Sequence, residues 1–518
     1  MRRLVLCSLL LLLAGCNDNN DSFQNSGASG GSGTPPGFVP VGSGEAGNPD
    51  EVIPVISELK LTPNEKAPLS CTLTWKTQIP ATSAVEFGNG QYEFVIEKPN
   101  LTTDHRVIVV GMYPEQVYQL RAVSTAQGER AQAEAPLFTT PKLPAYLRDA
   151  TLKTYQQGRT YDGWTSLTLS AGDMHSGPLF IEVDPDYPPT GVFLDMQGRI
   201  VWYTPHGLPI NGEAEYYPAD NTILYSSQST EFAAPTPAAR VVDLAGETVW
   251  EGPPQLVGEF VRGLYSHAFR RLPSGNWLTV RLDVQAETKI LGDGIVEFNP
   301  ANEIVWEWSS FDHLPPPDTS GWNGVDPPLF DWLHVNGLDY LGSGETLILG
   351  ARNTDSAYKL DRATGNLLWT LGRNGEFTFK GSNDTPWFLK AHATEFTAPN
   401  RVIMFDNGDI DFANLRLWSR AVEYQIDETA KTAEIIWEYR GEKQFFAPYW
   451  GDADRLPNGN TLIAAGHWTP QLTSNMFEAD GNGNTVWALE FPLHDRFAVG
   501  FYNACRFVPP VRRITPSN

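Results

Sequence analysis

Six times between residues 199 and 487 the chain repeats one short phrase, a pair of apolar or β-branched residues followed by tryptophan. The copies are Arg199-Ile-Val-Trp202, Glu247-Thr-Val-Trp250, Glu303-Ile-Val-Trp306, Asn366-Leu-Leu-Trp369, Glu434-Ile-Ile-Trp437 and Asn484-Thr-Val-Trp487. Each follows a strand-like segment, usually through a turn with Asp, Asn or Gly, as in Val241-Val-Asp-Leu-Ala-Gly246 and Ala479-Asp-Gly-Asn-Gly-Asn484. The spacing runs from 48 residues (Trp202 to Trp250) to 68 (Trp369 to Trp437), enough for four antiparallel strands with loops of unequal length. A unit of this kind cannot bury its own faces, so the repeats must stack. The expectation is an all-β chain whose residues 142–518 form a six-bladed β-propeller, with the tryptophans packed between blades. The stretch from Tyr146 to Ala171 supplies a closing strand, or a seventh blade if it holds more.

The rest of the chain supports an all-β reading. Glycine (46) and proline (40) are abundant, and no long stretch keeps a 3.6-residue apolar period. At 518 residues a second domain is expected. Residues 51–141 provide it, with alternating segments at Val55 to Leu61, Cys71 to Trp75, Ser83 to Phe87, His105 to Val110 and Tyr118 to Ser124. Their spacing suits a small β-sandwich, and the tryptophan on the second strand resembles fibronectin type III and other immunoglobulin-like modules. Cys71 alternates with Leu73 and Trp75, which points all three into one core and makes Cys71 a buried free thiol. A net charge of −24 argues against a nucleic-acid partner, which would need a basic surface.

The first residues read as a targeting segment. Arg2-Arg3 precedes an apolar run from Leu4 to Leu13, too short to span a bilayer, and Leu13-Ala14-Gly15-Cys16 resembles the bacterial lipobox. That resemblance implies a signal peptide over 1–15, lipidation of Cys16, and a periplasm-facing body anchored to a membrane. Residues 16–50, rich in Gly, Ser, Asn and Pro, read as a flexible tether.

Three histidines hold equivalent places in successive repeats: Ser266-His267-Ala268, Leu333-His334-Val335 and Ala391-His392-Ala393. Each precedes a turn, so each sits on the innermost strand of its blade, and Arg352 ends the strand after His334. In a radial fold these side chains converge at one mouth of the central channel. Three readings follow. Three imidazoles can hold zinc, although Arg352 would repel a dication. Guanidinium and imidazole N–H groups can bind a tetrahedral oxyanion. Or the histidines simply line the channel of a binding propeller.

The ordered set Asp331-Trp-Leu-His-Val-Asn336, Arg352 eighteen residues after His334, His392 and Phe405-Asp-Asn-Gly-Asp409 resembles the bacterial arylsulfate sulfotransferase family. The resemblance implies transfer of a sulfuryl group from an aryl sulfate donor to a phenol acceptor without a nucleotide sulfate donor, cofactor or metal. It makes His392 the nucleophile of a ping-pong cycle through sulfohistidine, and His334, His267 and Arg352 its catalytic partners. Asn336 is a further donor to substrate, Trp332 and Tyr358 are stacking surfaces, and Asp406 and Asn407 fix the turn behind the nucleophile strand. Two alternatives stay open. Leu360-Asp-Arg-Ala-Thr-Gly-Asn-Leu-Leu-Trp369 resembles the tryptophan-docking repeat of quinoprotein-like scaffold propellers, and water in place of phenol would make the same site a sulfate ester hydrolase.

Overall fold

The computed structural model describes residues 53–514, apart from 174–181, 184–187, 206, 209–211, 227–236, 255–263, 320–328, 411–414, 443, 469–472 and 492–497. The expected signal peptide, Cys16 and the tether lie outside the described residues. No helix among those described is long and apolar enough to cross a membrane.

The chain is all-β and carries a six-bladed propeller. Blades two to four each take four consecutive antiparallel strands, beginning with Ala214–Tyr217, Leu264–Arg271 and Val335–Leu341. Blade five begins with His392–Ala398 and blade six with Asp452–Arg455. The stretch from Tyr146 to Ala171 makes no seventh blade. Instead, Thr151–Tyr155 joins the outer edge of blade six and Trp164–Asp173 opens blade one. Blade one is completed from the far end of the chain, where Ala498–Gly500 and Cys505–Phe507 both pair with Trp164–Asp173. Both ends of the propeller sequence are therefore shared across the closure.

The repeated phrase explains the ring. In five blades a turn aspartate, and in one an asparagine, accepts backbone N–H bonds through its side-chain oxygen, as Asp195 does from Gln197 and Arg199 and Asp480 from Asn482 and Asn484. The same pair of bonds recurs at Asp243 and Asn299, while Asp361 accepts from Thr364 N and Asp427 from Thr429 N and Ala430 N. An indole N–H from each blade then reaches the turn of the next: Trp202 to Leu244 O, Trp250 to Pro300 O, Trp369 to Glu428 Oε1 and Trp437 to Asp480 O. Trp487 closes the circle on Met196 O. In blade three this place is taken by Trp308, bonded to Gly365 O, and not by Trp306 of the repeated phrase. The outer strand there runs on to Trp308, two residues later on the same face, while half-buried Trp306 meets the Arg362 guanidinium.

Residues 56–139 form a separate antiparallel sheet. Its central strand, Cys71–Gly88, is a single 18-residue strand where the sequence suggested two; Gln78-Ile-Pro80 only disturbs its register, between Lys76 and Ala81. Trp75 is buried, stacks on His105 at 4.9 Å and donates to Ser124. Cys71 and Cys505 are both buried free thiols. The last described strand, Arg512–Arg513, adds to the edge of this sheet through Phe94–Val109, and one apolar cluster runs from Trp75 and Phe87 into Phe193, Trp202 and Phe507 of the propeller. The sheet is therefore docked on blades one and two through a continuous core.

Candidate active site

The innermost strands of blades three, four and five break register at one level: between Ser266 and Phe269, Val335 and Gly337, and His392 and Glu395. Such bulges re-aim side chains. His267 (φ 61°), His334 (φ 54°) and Ala393 (φ 49°) adopt left-handed backbone there, a conformation costing about 1–3 kcal/mol per non-glycine residue that persists where surrounding structure enforces it. The hairpin of blade four sets the spacing of His334 and Arg352. Val335 pairs with Ala351, so the Arg352 N–H bonds to the His334 carbonyl at 3.2 Å and the two residues leave the sheet side by side.

The three histidines come together as the repeats required. The rings of His267 and His334 lie 5.1 Å apart, and Tyr502 stands 5.7 Å from His267 and 6.0 Å from His392. Tyr502 comes from the chain-closing segment beside blade one and donates its hydroxyl to Asn336 O at 2.9 Å. It carries no motif, and only closure of the ring brings it here.

Each imidazole has a distinct environment. His392 is buried, and its Nδ1 donates to Asn407 Oδ1 at 2.7 Å. The Asn407 amide has only one orientation, because its Nδ2 donates to Ala447 O (2.7 Å) and Trp450 O (2.6 Å). The proton of neutral His392 is thus fixed on Nδ1, leaving a lone pair on Nε2. Burial first, and then the Arg352 guanidinium, pull the pKa of His392 down to about 3. Burial, His334, His392 and Arg352 likewise hold His267 well below the ordinary histidine range. His334 is half-buried and donates from Nδ1 to Asp331 Oδ2 at 2.6 Å. Asn407 therefore touches the expected nucleophile directly, beyond its turn-fixing place, while Asp406 does fix the segment: it accepts from Leu389 N at 2.8 Å and pairs with Arg416 and Arg420.

Arg352 is tied through Asn353, which accepts from it at 3.0 Å and donates to Asp331 O at 2.9 Å. Asn336 is 1% exposed, and among the described residues neither atom of its amide has a partner, an arrangement that costs about 1–3 kcal/mol and suits a group reserved for a ligand. Trp332 and Tyr358, expected as stacking surfaces, lie in the apolar core of blades three and four, Trp332 against Phe311. Among the described residues, the one tight group of metal-type ligand atoms belongs not to the histidines but to Glu395, Asp452 and Asp454 on the inner strands of blades five and six. There the Arg270 guanidinium already pairs with Glu395 at 3.1 Å.

The sequence model of the arylsulfotransferase (ASST) family matches residues 164–492, well over half of the chain and all three histidines. The chain belongs to the arylsulfotransferase family. The arylsulfate sulfotransferase AssT of Escherichia coli O6:H1 is 25% identical over 173 residues, a match spanning 28% of this chain and 29% of that relative. Solved structures resemble it only loosely. The lignostilbene dioxygenase of Pseudomonas brassicacearum covers 68% of this chain and 94% of its own at 8% identity and a TM-score of 0.34. The hydrazine synthase of Kuenenia stuttgartiensis covers 73% and 94% at 10% identity and a TM-score of 0.30.

Proposed function

We propose that this protein transfers a sulfuryl group from an aryl sulfate to a phenol by a ping-pong mechanism. The observation that carries the reading is the Asn407-locked, neutral His392, its lone pair on Nε2, within the field of Arg352. Nε2 attacks sulfur, the N–S bond forms, the S–O bond to the donor breaks, and the phenolate leaves with a proton from a neighbouring imidazolium. A second phenol then gives its proton back to that imidazole, its oxygen attacks sulfur, and the N–S bond breaks. Sulfuryl transfer, like phosphoryl transfer, spreads charge over the equatorial oxygens, so a guanidinium and a preorganised amide supply most of the help required. Arg352 and the unpartnered amide of Asn336 suit that task. Family membership favours this reading over a scaffold, and a paired acid–base histidine gives a scaffold no purpose.

The accessory features belong to the same proposal. The sheet of residues 56–139 is a fibronectin-like sandwich bracing blades one and two, and the body is exported and tethered by a lipid on Cys16, facing the periplasm.

Purified protein given 4-nitrophenyl sulfate is expected to release nitrophenolate in proportion to added phenol. Without acceptor, mass spectrometry should find one sulfuryl group on the peptide holding His392. His392→Asn should abolish both. Release independent of phenol would make the protein a hydrolase, and full activity of the variant would remove His392 as nucleophile.

A further inference from the structure

Two of the site histidines carry different groups on Nδ1, a carboxamide on His392 and a carboxylate on His334. A carboxamide orients an imidazole and favours its charged form only through a hydrogen bond, whereas a carboxylate adds a full negative charge to that bond. Asp331 reaches His334 three residues on because residues 332–334 leave the strand and His334 turns through φ 54°. Although burial opposes its ionisation, Asp331 is held below the ordinary carboxylate range by His334, Arg352 and Asn353, so it stays charged. The other groups facing His334 are the His267 ring, Arg352, and His392 across the channel. Behind Asp331 lies the buried Asp293, whose carboxyl accepts from Val335 N at 3.2 Å and is pushed well above its usual range by burial and by Asp331 itself. A neutral Asp293 leaves Asp331 as the anion beside His334.

We propose that Asp331 is a positioning residue that makes His334 the proton carrier of the reaction. By fixing the Nδ1–H of His334, it presents Nε2 to donate a proton to the departing phenolate and to take one from the incoming phenol. The substrate class then extends to sulfate esters of weakly acidic phenols, whose oxyanions cannot leave unprotonated. This inference rests on the sulfuryl-transfer reading above and goes beyond it in assigning the proton.

The test compares two donors in unaltered protein, Asp331→Asn and Asp331→Glu, with thermal unfolding as a check on folding. Phenyl sulfate needs its leaving oxygen protonated far more than 4-nitrophenyl sulfate does. Asp331→Asn is expected to lower kcat with phenyl sulfate by roughly 10²-fold, to slow 4-nitrophenyl sulfate much less, and to move the imidazolium limb of the pH profile to lower pH. Asp331→Glu should restore part of the phenyl sulfate rate. Equal loss on both donors with an unmoved pH profile would reduce Asp331 to a structural role and overturn the proposal, as would undiminished turnover of phenyl sulfate by Asp331→Asn. If the unaltered protein turns over neither donor, the sulfuryl-transfer reading itself fails.

Discussion

His392 shows how the surroundings of one side chain, and not its own chemistry, can set its protonation state. An ordinary histidine has a pKa of 6.5, whereas in this fold the value is about 3 because burial and Arg352 both penalise the cation. A group whose folded pKa is depressed contributes stability that is complete above its unfolded pKa and lost as pH falls toward the folded one. Stability should therefore decline as pH drops from 6.5 toward 3, with His267 adding to the same trend. Replacing the imidazole by a side chain that does not titrate removes that contribution. Urea unfolding of His392→Asn as a function of pH is expected to show a shallower decline than the unaltered protein over this window, and parallel curves would mean that the imidazole is not desolvated.

At the scale of elements, the site depends on close contact between blades four and five. Gly337 and Gly350 face each other across the blade-four hairpin, and Thr394, two residues beyond His392, packs against both. A Cβ on Gly350 would come within 2.3 Å of Thr394 Oγ1 and 2.8 Å of its Cβ. Gly350→Ala is therefore expected to cost about 1–3 kcal/mol by overpacking, and to lower kcat more than it raises KM by displacing the His392 strand. Urea titration together with steady-state kinetics checks both effects, and unchanged turnover would show that the strand can absorb the displacement. These contacts were not legible in the sequence. Gly350 reads as the end of an apolar strand, and its need for a missing side chain appears only once a neighbouring blade is laid against it. The histidine positions were legible, because the strand-and-turn unit that places each one is local.

The whole molecule is a ring held by indoles. Six tryptophans each bond to the turn of the following blade, and Trp487 spans the seam between blades six and one. Trp487→Ala is expected to destabilise the protein by about 3–5 kcal/mol in urea unfolding, because it removes a fully buried indole and opens the closure. Trp306→Ala, in the same repeated phrase but half-buried and bonded to no turn carbonyl among the described residues, should cost markedly less; equal losses would contradict the assignment of Trp308 to the ring. Closure also explains what the sequence hid. Tyr502 lies 110 residues after His392 and meets it only because the end of the chain returns to complete blade one.

Sequence alone determined the all-β class, the six repeated units, the level at which His267, His334 and His392 sit, and the family. Each depends on periodicity or on short motifs that one repeat can express by itself. That the stretch from Tyr146 to Ala171 closes blades six and one instead of adding a seventh was decided by the fold. Tertiary structure decided which groups the histidines touch: Asn407 locking His392, Asp331 bonded to His334, Tyr502 between two rings, and Trp308 in place of Trp306. Those pairings depend on bulges, left-handed residues and ring closure, which join residues far apart in the chain through contacts that no local pattern records.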